Sequence, residues 1–274
     1  MLKKINVFII VAIISILPSF AKVDKTSSEY LKDKKHFALM NPLAESVAQR
    51  AIKKVLKKET GENFKVKFDG YTLSSMKSGI FKNLEIIGKD VKIEGVDVKY
   101  LRLKSASDYN WIDYTQKPLL IKTDMMYDYE IYLTEDGINQ ALDNKEYKKT
   151  LAKVNGIAYP LFVINDTQVK VKNDRLYLIL DYNFPISPSK KNKTFVVSTG
   201  FKVENNKIKA SNVNIDKAYG NLQGSKVANL INLLDPLSFT LDIVNKKDCN
   251  GRVENVKIVD GIVQISGRIF VKGE

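Results

Sequence analysis

The chain has 274 residues, with 44 lysine and arginine residues against 31 acidic ones, which gives a formal net charge of +13. Its only histidine, His36, and its only cysteine, Cys249, exclude Cys/His zinc-ligand sets, disulfides within the chain and most histidine-based acid–base catalysis. A hydrophobic content of 44% suffices for a packed core, which indicates a globular rather than a disordered chain. The positive net charge indicates an anionic partner, either a membrane surface or a nucleic acid.

The first 21 residues are typical of a secretory signal peptide. A positive segment containing two lysines precedes the apolar run 5–17, which ends at Pro18, and Ser19 and Ala21 are the small residues of a cleavage site. A membrane-spanning helix needs about 20 apolar residues, so this shorter run favours cleavage after Ala21 over a retained anchor. The sequence therefore predicts export to the periplasm or cell envelope, which disfavours a nucleic-acid partner.

Residues 22–40 are mostly polar and are typical of a tether, and we expect a single domain over 41–274. The strongest helix signal starts at Asn41-Pro42 and ends before Gly61, a natural residue for a helix C-terminus. The apolar positions of this helix follow one another at spacings of three and four residues, which predicts a single apolar stripe. They are Leu43, Ala44, Val47, Ala48, Ala51, Ile52, Val55 and Leu56.

Segments of alternating apolar and polar residues fill much of the chain after this helix, for example 64–68, 125–133 and 263–271. Turn dipeptides separate several of them, and this pattern predicts an antiparallel meander rather than a parallel α/β core. These dipeptides are Asn173-Asp174, Asn205-Asn206 and Asp260-Gly261.

Two shorter helices are predicted, one from an N-cap at Thr134 and one over 225–234, which stops before Pro236. The segment 175–184 has apolar residues on both faces of a predicted strand, and such a strand must be covered on both faces. A helix or a second sheet layer is one possible cover, and an apolar ligand in a cavity is the other.

Catalytic chemistry finds little support in the sequence. Segments 74–77 and 187–190 match S-x-x-K, but the S-D-N and K-T-G elements that accompany this nucleophile motif are missing. Asp124, Asp128 and Glu130 share a strand face, which suits either a hard cation or, more simply, a hydrated outer surface. We therefore expect no enzyme activity, no metal site and no cofactor.

The lysines Lys190, Lys191 and Lys193 lie in a predicted loop and are candidates for contact with anionic lipid head groups. The alternative is a solvated surface in a lysine-rich chain, because 39 of the 44 cations are lysine. The arginine forks that usually recognise phosphates and bases are few, so the charge alone identifies no partner.

The helix that contains Ala44-Glu45 and Val47-Ala48, followed by the segments 73–103, 131–142 and 260–267, resembles in content and order the LmeA-like family of exported bacterial phospholipid-binding proteins. The resemblance spans about residues 41–271. The first of the three segments begins LSSMKSGIFKNLEIIGKDV, and the second is IYLTEDGINQAL. The resemblance implies an α+β fold in which an elongated, strongly twisted antiparallel β-sheet wraps around amphipathic helices. That fold is similar to the lipid-transfer domains of bactericidal/permeability-increasing proteins, and no catalytic motif comes with it.

The leading hypothesis is a non-enzymatic, exported lipid-binding or lipid-transfer protein that holds phospholipid acyl chains between the sheet and the helices 42–60 and 225–234. The runner-up is an envelope scaffold or binding module with a dry, filled core, attached through surface lysines to an anionic membrane or polymer. The oligomeric state stays open. Candidate wall residues for acyl chains are Val47, Ala51, Val55, Leu178, Leu230 and Ile231.

Overall fold

The computed structural model describes residues 41–113, 120–186, 192–215, 224–237, 240 and 249–273. The predicted signal peptide, 1–21, and the predicted tether, 22–40, lie outside the described residues. Within them the chain is mixed α and β, with antiparallel sheets and few helices, as the alternating pattern predicts.

Five helices and thirteen strands occur among the described residues. The helices are α1 (Asn41–Thr60), α2 (Leu73–Lys77), α3 (Glu135–Leu142), α4 (Lys145–Ala158) and α5 (Gly224–Leu234). The strands are β1 (Phe64–Asp69), β2 (Ile80–Phe81), β3 (Asn83–Ile93), β4 (Val96–Ser105), β5 (Asn110–Asp113), β6 (Leu120–Ile121), β7 (Met125–Leu133), β8 (Val163–Lys172), β9 (Arg175–Asn183), β10 (Lys193–Glu204), β11 (Lys207–Ile215), β12 (Cys249–Val259) and β13 (Ile262–Val271).

The strands form a six-stranded sheet in the order β1-β3-β4-β7-β13-β12, a four-stranded sheet in the order β11-β10-β9-β8 and a small sheet, β2-β5-β6. All three predicted turn dipeptides connect antiparallel neighbours and have positive φ at both residues. Turns of this kind match the right-handed twist of the strands that they join. The hairpin predictions at these three places are therefore confirmed.

Helices α1 and α5 lie at different places on the two sheets. α1 packs on β1, the outer strand of the six-stranded sheet, and α5 packs on β11 of the four-stranded sheet. The two sheets meet at β12, which contacts β10 and β11 and is the other outer strand of the six-stranded sheet. α1 therefore lies at the edge of the six-stranded sheet that is remote from the four-stranded sheet.

A single cluster of buried apolar side chains joins the two sheets and their helices. β7 contributes Tyr127 and Ile131, β9 contributes Leu178, and the helices contribute residues such as Leu56 and Ile231, each nearly or completely buried. Burial of apolar surface is the main favourable term in folding. Since these residues belong to one cluster, the described elements share one core.

Side chains on the helices complete the backbone hydrogen bonding of the edge strand β8. Asn139 of α3 donates to the carbonyl of Val169 at 3.0 Å and accepts from its N–H at 2.8 Å. Asn155 of α4 makes the same pair of bonds with Ile164, both at 2.8 Å. Edge strands expose unpaired backbone groups, so these two asparagines take the place of a neighbouring strand.

Strand β9 is covered unequally on its two faces. Leu176, Leu178 and Leu180 are buried in the shared core, whereas Tyr177 and Ile179 on the other face are only half-buried. The expectation of cover on both faces therefore holds for the leucine face alone. Half-buried aromatic and β-branched residues suit the open face of an antiparallel sheet.

Candidate functional site

The wall candidates on α1 lie along the side of the helix that the sheet does not fully cover. Val47 is 60% exposed, and Ala51 and Val55 are half-buried. The contact with the sheet is made instead by the neighbouring row, which is buried. That row consists of Ala48, Ile52 and Leu56. The apolar stripe of α1 is thus wider than the surface that covers it.

The remaining wall candidates belong to the four-stranded sheet and α5. Leu178 is completely buried and Ile231 is 1% exposed, and both belong to the shared core. Leu230 is half-buried and packs against that core, while Leu233 beside it on α5 is exposed. Because α1 and α5 lie on different strands, the six candidates fall into two separate groups rather than one wall.

One of the three lysine candidates lies in the described part of the chain. Lys193 at the start of β10 is exposed, and its ammonium nitrogen is 5.0 Å from the centre of the Phe184 ring. This distance suits a cation–π contact, which holds the lysine at the end of the sheet. Lys190 and Lys191 fall outside the described residues.

A polar cleft on the six-stranded sheet was not predicted from the sequence. Its volume is about 350 Å³, and its lining comes from β4, β7, β12 and β13. Adjacent strands bring together charged residues that are far apart in sequence, such as Lys104 opposite Asp128 and Asp128 opposite Arg268. The lining residues are Arg102, Lys104, Asp128, Tyr129, Glu130, Glu254, Ser266, Gly267 and Arg268.

Ion pairs occupy most of the charged groups in and beside this cleft. Arg102 binds Glu85 at 2.8 Å and Glu130 at 3.0 Å, and Arg268 binds Asp128 at 3.1 Å. The hydrogen bond from Lys67, followed by that from Arg102, keeps the pKa of the Glu85 carboxyl below its ordinary value despite burial. Glu85 is therefore a charged structural partner in this network rather than a proton donor.

Tyr129 projects its hydroxyl to the same region without a hydrogen-bond partner among the described residues. Burial, reinforced by the charge of Glu254, raises the pKa of this phenol, so the hydroxyl stays protonated at neutral pH. The ring lies opposite Gly267, where the absence of a side chain leaves room for it. The cleft thus offers one buried donor beside a set of charges that already pair with each other.

The sequence motifs considered for chemistry do not assemble into a reactive group. Asp128 and Glu130 pair with arginines, and Asp124 accepts the N–H of Gly273 at 2.9 Å. No group of three potential metal ligands occurs in the described ranges. Of the two S-x-x-K segments, 74–77 lies in the short helix α2, where Ser74 and Lys77 are exposed and the two residues between them are buried, and 187–190 lies outside the described residues.

Comparisons of the chain with models of protein families, with curated proteins and with solved structures give no match. Among the helices that the structure describes, none combines the length and the apolar content needed to cross a bilayer. The observations that bear on function are therefore the chain's own surfaces, above all the uncovered apolar side of α1.

Proposed function

We propose that this chain is a non-enzymatic, exported lipid-binding or lipid-transfer protein of the bacterial cell envelope. Its ligand is a phospholipid or another amphipathic molecule whose acyl chains lie against apolar side chains of the helices and sheets. The resemblance of segments 73–103, 131–142 and 260–267 to the LmeA-like family leads to the same proposal.

The observation that carries this proposal is the open apolar stripe of α1, which consists of Leu43, Val47, Ala51 and Val55 at four-residue spacing. Leu43 and Val47 are 65% and 60% exposed, whereas Ala51 and Val55 are half-buried. The stripe thus continues from exposed residues to half-buried ones that adjoin the buried row of α1. Exposed apolar surface that continues into a core is what an acyl chain needs, because each buried methylene contributes about 0.8 kcal/mol. Leu230 and Leu233 form a second, shorter open edge on α5.

The elongated, strongly twisted sheet of the proposed lipid-transfer fold has support in the strand pairing. The register shifts in four antiparallel pairs, β4 with β7, β8 with β9, β10 with β11, and β12 with β13. Bulges of this kind bend a strand and increase its local right-handed twist. A twisted, bent sheet can follow the length of an acyl chain and cover it with its apolar face.

Lipid binding is tested with the mature protein purified from its native envelope and analysed by native mass spectrometry. We expect a lipid adduct, and we expect apo protein to take up labelled phospholipid from liposomes. Val47→Gln should reduce this uptake severalfold, because it places an amide on the open stripe. Lys57→Gln, an exposed change on the polar side of α1, is the matched control.

Apo protein alone in the native spectrum, together with no uptake from liposomes, would contradict the proposal. The alternative is then an envelope scaffold whose core is dry, and the burial of Leu178 and Ile231 in the shared core favours it. Such a protein sediments with anionic vesicles at low salt and detaches at high salt without extracting lipid.

A further inference from the structure

Five exposed apolar residues, here called the apolar tip, lie near one end of the four-stranded sheet. Ile157, Leu161 and Ile186 are between 72% and 74% exposed, Tyr159 is 65% exposed, and Phe184 is 36% exposed. Single exposed apolar residues are common on protein surfaces, but a contiguous group of large ones marks an interaction surface.

Hydrogen bonds and strand pairing bring the tip residues together. Ile157 is in the last turn of α4, and the amide of Leu161 bonds to the carbonyl of Ala158 at 2.8 Å, which closes a turn directly after the helix. Two residues later, Val163 pairs with Asn183, the residue before Phe184. The end of α4, the start of β8 and the end of β9 therefore lie side by side.

The tip is held in place by the elements behind it. Asn155 lies in the last turn of α4, four residues before Tyr159, and its side chain bonds to both backbone groups of Ile164 in β8. Phe184 packs edge-on against Tyr182, with ring centres 5.4 Å apart. The exposed side chains are thus presented from a fixed base, which lowers the entropic cost of binding a partner.

Positive charge borders the tip. Lys193 lies over the Phe184 ring, and Lys153 is exposed one helical turn before Ile157. The nearest carboxylates along β8 and β9 are Asp166 and Asp181, which accept hydrogen bonds from the side chains of Gln168 and Thr194. These carboxylates lie further along the strands, so the edge of the tip itself is cationic.

We propose that the apolar tip docks into the interface of an anionic lipid bilayer. Ile157, Leu161 and Ile186 enter the boundary between head groups and acyl chains, Tyr159 lies at head-group level, and Lys193 contacts lipid phosphates. A second copy of the chain fits less well, because the large positive net charge, +13 over the full sequence, opposes self-association. This docking does not depend on the acyl-chain stripe of α1, which lies on the other sheet.

The test is co-sedimentation of the protein with phosphatidylcholine vesicles that either contain or lack phosphatidylglycerol. We expect binding to the anionic vesicles, and we expect Ile157→Ser/Leu161→Ser to weaken it by roughly tenfold or more, since two apolar anchors are lost. Lys193→Gln should weaken it by about fivefold, the effect of one lysine near a charged surface. Val259→Ser, an exposed apolar change on β12, is the matched control and should bind like the parent protein.

Tyr159→Trp gives an independent signal, because an indole that enters the interface shifts its emission to shorter wavelength when anionic vesicles are added. Equal vesicle binding by the parent and the double serine variant would overturn the proposal, as would a parent dimer that the double variant dissociates. If the double serine variant loses vesicle binding but still takes up lipid, the apolar tip acts independently of the stripe of α1. If Val47→Gln loses lipid uptake but still binds vesicles, the proposed lipid-binding function can be altered without altering membrane docking.

Discussion

At the scale of single residues, Gly267 leaves the least room for a side chain among the glycines that the structure describes. A Cβ there would overlap the carbonyl oxygen of Arg252 on the neighbouring strand β12 and would lie 3.0 Å from the Tyr129 hydroxyl oxygen. Gly156 in α4 has free space around it, since a Cβ there would have no neighbour within 4 Å. The same substitution therefore has opposite consequences at the two glycines.

We expect Gly267→Ala to destabilise the protein by roughly 1–3 kcal/mol, because strand β12 or Tyr129 must move to admit the methyl group. Gly156→Ala should stabilise it by about 0.5–1 kcal/mol, since alanine loses less backbone entropy in a helix than glycine does. Urea unfolding of the two variants measures both changes. A neutral Gly267→Ala would show that β12 is not held against β13 at this position.

At the scale of secondary-structure elements, the helices act as covers for the edge of the four-stranded sheet. Asn139 and Asn155 bond to both backbone groups of a residue in β8, and the carboxylate of Glu135 accepts the N–H of Val171 at 2.9 Å. On the other outer strand, Asn232 of α5 accepts the N–H of Ala210 at 2.8 Å. These bonds fix the helices on the sheet and leave fewer groups free for pairing with another chain.

We expect Asn139→Ala to destabilise the protein by roughly 1–3 kcal/mol, because it leaves the N–H and carbonyl of Val169 without their partner. The control is Asn229→Ala on α5, where an exposed asparagine is replaced in a helix and the change should stay within about 0.5 kcal/mol. Chemical denaturation compares the two variants. Equal stabilities would mean that water replaces the asparagine bonds without cost.

At the scale of the whole molecule, one core connects both sheets, so the described elements should unfold together. Leu178 lies in that core, whereas Trp111 reports on the small sheet, where it packs with Ile80 and Tyr109. The small sheet is also tied to the six-stranded sheet. The backbone N–H of Trp111 donates to the hydroxyl of Thr123 at 3.0 Å, and Thr123 lies two residues before the start of β7. A substitution that destabilises the shared core should therefore also lower the stability that Trp111 fluorescence reports.

We expect Leu178→Ala to destabilise the protein by about 2–5 kcal/mol through the cavity that it leaves. Val47→Ala, at an exposed position of α1, should change the stability by less than about 0.5 kcal/mol. Unfolding is followed by far-ultraviolet circular dichroism and by Trp111 fluorescence. If Leu178→Ala shifts the circular dichroism transition and leaves the Trp111 transition in place, the small sheet around Trp111 unfolds independently of the shared core.

The helices illustrate how far the residue pattern predicts this fold. The stripe of α1 and the N-cap at Thr134 both correspond to helices in the structure, and the Thr134 hydroxyl accepts the N–H of Gly137 at 3.2 Å. α4 was not predicted, because its buried face consists of little more than Tyr147 and Val154 among many lysines. A weakly amphipathic helix takes most of its stability from tertiary contacts, and these are not visible in a local pattern.

By itself the sequence determined the hairpin turns, the antiparallel pairing and the apolar faces of α1 and α5, because these features depend on neighbours within a few residues along the chain. Only the tertiary structure decided that Leu178 is buried in the core while Val47 is exposed, and that Ile157 and Ile186 are left uncovered. Periodicity identifies an apolar face, but exposure depends on what packs against that face from distant parts of the chain.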